Sequence, residues 1–90
     1  MTGTERHDIR ATVDFSFSEK APFEAGYEPT TTLSVVRKAA MEYFGAEEDP
    51  THVFYLSHDR KREDDSRTVG EVAGHAEAVK FRLVKELIQG

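Results

Sequence analysis

Ten residues near the start of the chain set its class: Ile9, Ala11, Val13, Phe15 and Phe17 alternate with Arg10, Thr12, Asp14, Ser16 and Ser18. Successive side chains of an extended strand point to opposite faces, so a strict period of two predicts a strand with one face on a core and one in solvent. A polar break, Glu19-Lys20-Ala21-Pro22, leads to a second alternating set, Phe23, Ala25 and Tyr27 against Glu24, Gly26 and Glu28. Two such runs predict a hairpin, and Gly26 inside the second is a candidate bulge. Residues 1–8 are polar and without period; they read as a flexible arm lacking the charged-then-apolar layout of an export leader.

After Pro29 the period changes. Leu33, Val36, Ala40 and Phe44, with Met41 and Tyr43 beside them, fall on one side of a helix and Arg37, Lys38 and Glu42 on the other. The Thr32 hydroxyl is placed to cap its first turn, and Gly45 is placed to stop it. Beyond Glu47-Glu48-Asp49-Pro50, the aromatic and β-branched run Val53-Phe54-Tyr55-Leu56 predicts a third strand. A polar loop from His58 to Arg67 follows, in which Arg60-Lys61-Arg62 is answered by Glu63-Asp64-Asp65 and makes no basic patch. Thr68-Val69-Gly70-Glu71 has capping-box spacing and predicts one helical turn before Gly74.

The final segment fits two periods. Val79, Phe81 and Leu83 alternate with Lys80 and Arg82 as a strand would, and Val79, Leu83 and Leu87 also stack at helical spacing. Topology favours the strand: a hairpin, one helix and a lone third strand leave the helix covering too little sheet. The expected fold is α+β, a mixed four- to five-stranded sheet packed on one central helix. Its order is strand, strand, helix, strand, short helical turn, strand, over residues 9–85, with 86–90 a flexible tail.

Composition narrows the function classes. A chain of 90 residues supports one core. With no cysteine it has no disulfide, no zinc ribbon and no thiolate nucleophile. A net charge of -5 argues against nucleic-acid or anionic-membrane partners, whose phosphates call for a basic surface. No apolar run approaches the roughly 18 to 20 residues of a membrane span, so a cytoplasmic protein is expected.

Short motifs in their order add a resemblance. Tyr27-Glu28-Pro29-Thr30-Thr31-Thr32-Leu33, with Val36 and Lys38, resembles the stretch of ubiquitin where the second strand ends in Glu-Pro and a Thr caps the helix. Asp65-Ser66-Arg67-Thr68-Val69 is similar to its Asp-Gly-Arg-Thr-Leu turn, and Val79-Lys80-Phe81-Arg82-Leu83 to its last strand. From Ile9 onward the chain resembles the ubiquitin-like, β-grasp family, with the diverged bacterial members nearest. It departs in the arm before Ile9, the longer loop from His58 to Asp64, and an ending Leu87-Ile88-Gln89-Gly90 in place of Gly-Gly.

The resemblance implies a protein modifier without catalysis or cofactor of its own. The Gly90 carboxylate, with Gln89 before it, would be activated by a ubiquitin-activating-like enzyme, passed to a conjugating-like enzyme and joined to an amine on a protein target. A sulfur carrier with a C-terminal thiocarboxylate and an unconjugated protein-interaction module are the alternatives. Strand alternation places Tyr55, Val53, Lys80 and Arg82 on the open sheet face, a candidate partner-binding surface suited to acidic groups around an apolar socket. The remaining constellations read as structure. Ser57-His58-Asp59 holds the residue types of a hydrolase triad, yet neighbours on a strand face opposite ways. His52, His58 and Asp59 lack metal-ligand spacing, and the acidic turns lack apolar surroundings. Phe15, Phe17, Phe23, Phe44, Phe54 and Phe81 are assigned to the core.

Overall fold

The structure, a computed structural model, describes residues 8–88. Most of the arm assigned to residues 1–8, together with Gln89 and Gly90, lies outside the described residues. The elements run β1 (Ile9–Phe15), β2 (Phe23–Tyr27), α1 (Leu33–Phe44), β3 (His52–His58), β4 (Lys61–Glu63), α2 (Val69–Ala73) and β5 (Ala78–Leu87). The five strands form one mixed sheet in the order β2-β1-β5-β3-β4. The central strand β5 is parallel to β1, and the other pairs are antiparallel.

The ambiguous last segment is therefore a strand. Val79, Phe81 and Leu83 are buried beside Ala11, Val13 and Phe15 of β1, their register partners. Helix α1 covers that face with Leu33, Val36, Ala40, Met41 and Phe44, all within one core cluster. Gly45 ends α1 in the left-handed region at φ 74°, where a residue without Cβ fits without strain.

Several expectations are corrected. Phe17 is 69% exposed, because β1 ends at Phe15 and a turn follows, closed by the Ser18 amide donating to the Phe15 carbonyl at 3.1 Å. The Phe17 ring leaves the strand's alternation and leans on Phe15, with centroids 5.6 Å apart. Phe15 and Phe23 are only half-buried, Phe23 because β2 is an edge strand. Gly26 makes no bulge; it pairs with Arg10 in an unbroken register. The last strand runs to Leu87, so Glu86 and Leu87, expected in a tail, are paired with Val53 and His52. The Ile88 amide still donates to the Thr51 carbonyl at 2.8 Å.

The loop from His58 to Arg67 contains β4, joined to β3 by a two-residue turn. Asp59 and Arg60 both have positive φ, 55° and 71°, the conformation that makes the tightest hairpins. Beyond β4 this segment clasps the start of α1. The Leu33 and Ser34 amides donate to the Arg67 and Asp65 carbonyls at 2.8 and 3.1 Å. Two of the helix's free amides are thus satisfied by backbone from a distant loop. The expected Thr32 side-chain cap is absent, its hydroxyl lying 3.2 Å from that of Ser34. The same clasp joins Val69 N–H to the Thr31 carbonyl and Gly70 N–H to the Pro29 carbonyl. Thr68 and Glu71 close the predicted capping box on α2. Among the described residues no helix is long and apolar enough to cross a membrane.

Candidate functional site: the open face of the sheet

Alternation and register decide which side chains face away from α1. Residues opposite one another in adjacent strands share a face. Leu56 and Leu83 are opposite and buried, so Tyr55 with Val84, Val53 with Glu86, and Ser57 with Arg82 face outward. Lys80, opposite Thr12 of β1, and Arg62, opposite Ser57, join the same face. The structure thus brings Tyr55, Val53, Lys80 and Arg82 together on the open face, as strand alternation places them. Lys80 and Arg82 are exposed, and Tyr55 and Val53 half-buried.

Sequence reading missed Arg62. Treated as one of a self-cancelling loop run, it lies on β4 with its guanidinium carbon 4.4 Å from the Tyr55 ring centroid. A cation over a tyrosine face is held by the ring's negative π density. The available signal was the Asp59-Arg60 pair, a polar dipeptide at hairpin spacing, although it lacks the glycine that usually marks such turns. Beside this platform a hollow of about 430 Å³ is lined by Asp14, Ser57, Asp59, Arg60, Lys80, Phe81 and Arg82.

Other polar groups serve the fold. Ser57 faces outward, whereas His58 faces the helix side, its Nδ1 3.1 Å from the Lys80 carbonyl oxygen and its ring 6.0 Å from that of Phe81. Arg37, expected on the solvent side of α1, is instead only 11% exposed in its side chain. Its Nε and Nη2 donate to the Asp65 carboxylate at 2.9 to 3.1 Å and its Nη1 to Glu48 at 3.2 Å. Burial works against the Arg37 charge, but these carboxylates outweigh it and hold the pKa above its ordinary value. Glu63 is buried opposite Leu56 and takes a hydrogen bond from Arg67 Nη1 at 2.8 Å.

In the turn before β3, the Thr51 hydroxyl and amide both donate to Asp49 Oδ1 at 2.7 Å. These bonds, with a smaller contribution from His52, lower the Asp49 pKa from 3.8 to about 2. A carboxyl group whose pKa falls on folding stabilises the fold above its unfolded pKa, and that contribution fades as pH drops from near 4 towards 2. A carboxyl-carbon NMR titration is expected to give Asp49 a midpoint near 2, and Thr51→Val is expected to move it back up towards 3.8.

No model of a known protein family matches the chain, and no curated protein matches it. Solved structures do. The ubiquitin of Caldiarchaeum subterraneum superposes with a TM-score of 0.71 at 19% identity, over 92% of this chain and 99% of that one. A structure described as "Molecular Mimicry of SUMO promotes DNA repair" superposes with a TM-score of 0.68 at 13% identity, over 91% of this chain and 95% of that one. A third, "Crystal structure of ATBAG1 in complex with HSP70", gives 0.63 at 17% identity, over 87% of this chain and 40% of that one. With its first strand parallel to a central last strand, one covering helix and a short capped turn before that strand, the chain has the ubiquitin-like β-grasp fold.

Proposed function

We propose that the protein is a ubiquitin-like modifier that is conjugated through Gly90 and recognised on its open sheet face. The observation that carries this reading is the superposition on a ubiquitin over 99% of that chain. In the reaction the Gly90 carboxylate attacks the α-phosphorus of ATP and expels pyrophosphate, giving an acyl-adenylate. A thiolate of the activating enzyme then displaces AMP to form a thioester. A target amine displaces the thiol, loses a proton and leaves an amide bond. Glycine suits this chemistry because a residue without Cβ lets an extended tail enter a narrow channel and leaves its carbonyl open to attack.

The description of one structural neighbour as a complex with HSP70 supports protein partners. The open face supplies a surface for them in Tyr55, Val53, Lys80 and Arg82. Tyr55→Ala is expected to weaken partner binding by about 2 kcal/mol, since tyrosine contributes large contact area with a polar tip. Loss of fold in that variant would instead mark Tyr55 as a core residue.

The extent of β5 favours a second reading. The Ile88 amide is tied to the Thr51 carbonyl at 2.8 Å, and Glu86 and Leu87 are paired with Val53 and His52. Threading these residues into a channel requires the end of β5 to peel from β3, which supports an interaction module that is not conjugated. Incubation with ATP and a ubiquitin-activating-like enzyme separates the readings. The modifier is expected to give a covalent adduct that deletion of Gly90 abolishes. An adduct indifferent to that deletion, or none, favours the module. A thiocarboxylate mass shift selects the sulfur carrier.

A further inference from the structure

The described arginines divide into two groups. Arg10 pairs with Glu24 at 3.3 Å, Arg37 with Asp65 and Glu48, and Arg67 with Glu63 and Glu71. Arg60, Arg62 and Arg82 form no ion pair among the described residues, and neither does Lys80. All four lie in one corner of the open face: Arg62 on β4, Lys80 and Arg82 on β5, and Arg60 in the turn between β3 and β4. Asp14 and Asp59 line the same hollow, yet neither closes an ion pair with these cations. In a chain with 17 acidic and 12 basic residues, this corner is where guanidinium groups are left without carboxylates.

Two further features suit the corner to recognition. Arg62 is held against the Tyr55 ring, so its position is set before any partner arrives and less side-chain freedom is lost on binding. Arg60 reaches the hollow from a backbone at φ 71°, a conformation that costs a non-glycine residue free energy and that asparagine or glycine would adopt more easily. Tyr55, Val53 and Val84 supply apolar surface beside the cations.

We infer that this corner binds a carboxylate-bearing segment of a protein partner, with Arg62 and Arg82 each receiving an Asp or Glu side chain and an apolar residue seated on Tyr55 and Val84. Guanidinium meets carboxylate through two parallel N–H donors, a geometry that lysine cannot reproduce. The inference deepens the open-face part of the proposed function and is independent of Gly90 chemistry, so failure of conjugation leaves it standing.

The test is an NMR titration of the isotope-labelled full chain, at about 0.15 M ionic strength, with the peptide acetyl-Asp-Leu-Glu-Asp-Leu-Glu-amide. The amide resonances of Tyr55, Arg62, Lys80 and Arg82 are expected to move. The same peptide with Asn and Gln for Asp and Glu is expected to bind about tenfold more weakly or worse. The R62Q/R82Q double variant, whose dispersed spectrum confirms its fold, is expected to lose binding by a similar factor. Shifts elsewhere on the molecule, equal binding of the uncharged peptide, or an unaffected double variant would each overturn the proposal. So would identical shifts from inorganic phosphate or a DNA oligonucleotide at matched charge, which would make the corner a general anion attractor.

Discussion

Replacing Phe81 with alanine is expected to lower the unfolding free energy by roughly 3 to 5 kcal/mol. Phe81 is 2% exposed on β5, opposite Val13 of β1, in a cluster that also holds Val36 and Ala40 of α1. Truncation removes the ring's burial and leaves a cavity bounded by strands that cannot collapse without breaking the ladder. A domain of this size holds about 5 to 15 kcal/mol in all, so the variant stands near its unfolding threshold. Urea denaturation followed by circular dichroism measures the loss. A change below about 0.5 kcal/mol, typical of surface sites, would place Phe81 outside and shift the register of β5 by one residue.

Gly70→Ala is the second large effect, because two contributions of opposite sign compete. Alanine is the better helix former by about 1 kcal/mol, so propensity alone predicts a more stable protein. A Cβ at position 70, however, would stand 2.9 Å from both the Cβ and the carbonyl oxygen of Pro29. The oxygen cannot retreat without stretching its bond from the Gly70 amide, which is 2.9 Å long, and the proline ring cannot rotate away. The clash is expected to prevail, with a net loss of about 1 to 3 kcal/mol. Amide exchange should quicken first at Leu33 and Val69, whose N–H groups are held in the same clasp. A gain in stability would show that the clasp yields easily.

The elements legible in the sequence are those whose periods are local. Alternation located β1 and β2, helical spacing located α1, and Thr68 with Glu71 located α2, whereas β5 fitted both periods and followed only from the sheet its neighbours required. Phe17 deceived because alternation in the sequence continues past the point where hydrogen bonding stops; nothing local records that β1 has no partner beyond Phe15. The clasp was hidden for a related reason. Its donors at Leu33 and Ser34 meet carbonyls at Arg67 and Asp65, and backbone groups carry no sequence signature. Arg37 resembled any solvated helix charge until Asp65 and Glu48 were brought to it by the loops. On the candidate site, Tyr55, Val53, Lys80 and Arg82 followed from strand alternation, whereas Arg62 required knowing that Asp59 and Arg60 fold the chain back on itself.

The parallel pairing of β1 with β5 has a consequence for how the chain comes to be folded. Neither is an edge strand, and their partners, such as Val13 and Phe81, lie about 70 residues apart along the chain. Closing so long a loop is entropically costly and is repaid only once both strands are present, which slows folding relative to a helical bundle of equal size. During synthesis, the β1–β2 hairpin and α1 emerge with their apolar faces uncovered and wait for β5 before a core can form. A chain truncated anywhere before Ala78 therefore lacks the central strand of its sheet and leaves the apolar faces of β1 and α1 without the strand that completes their core.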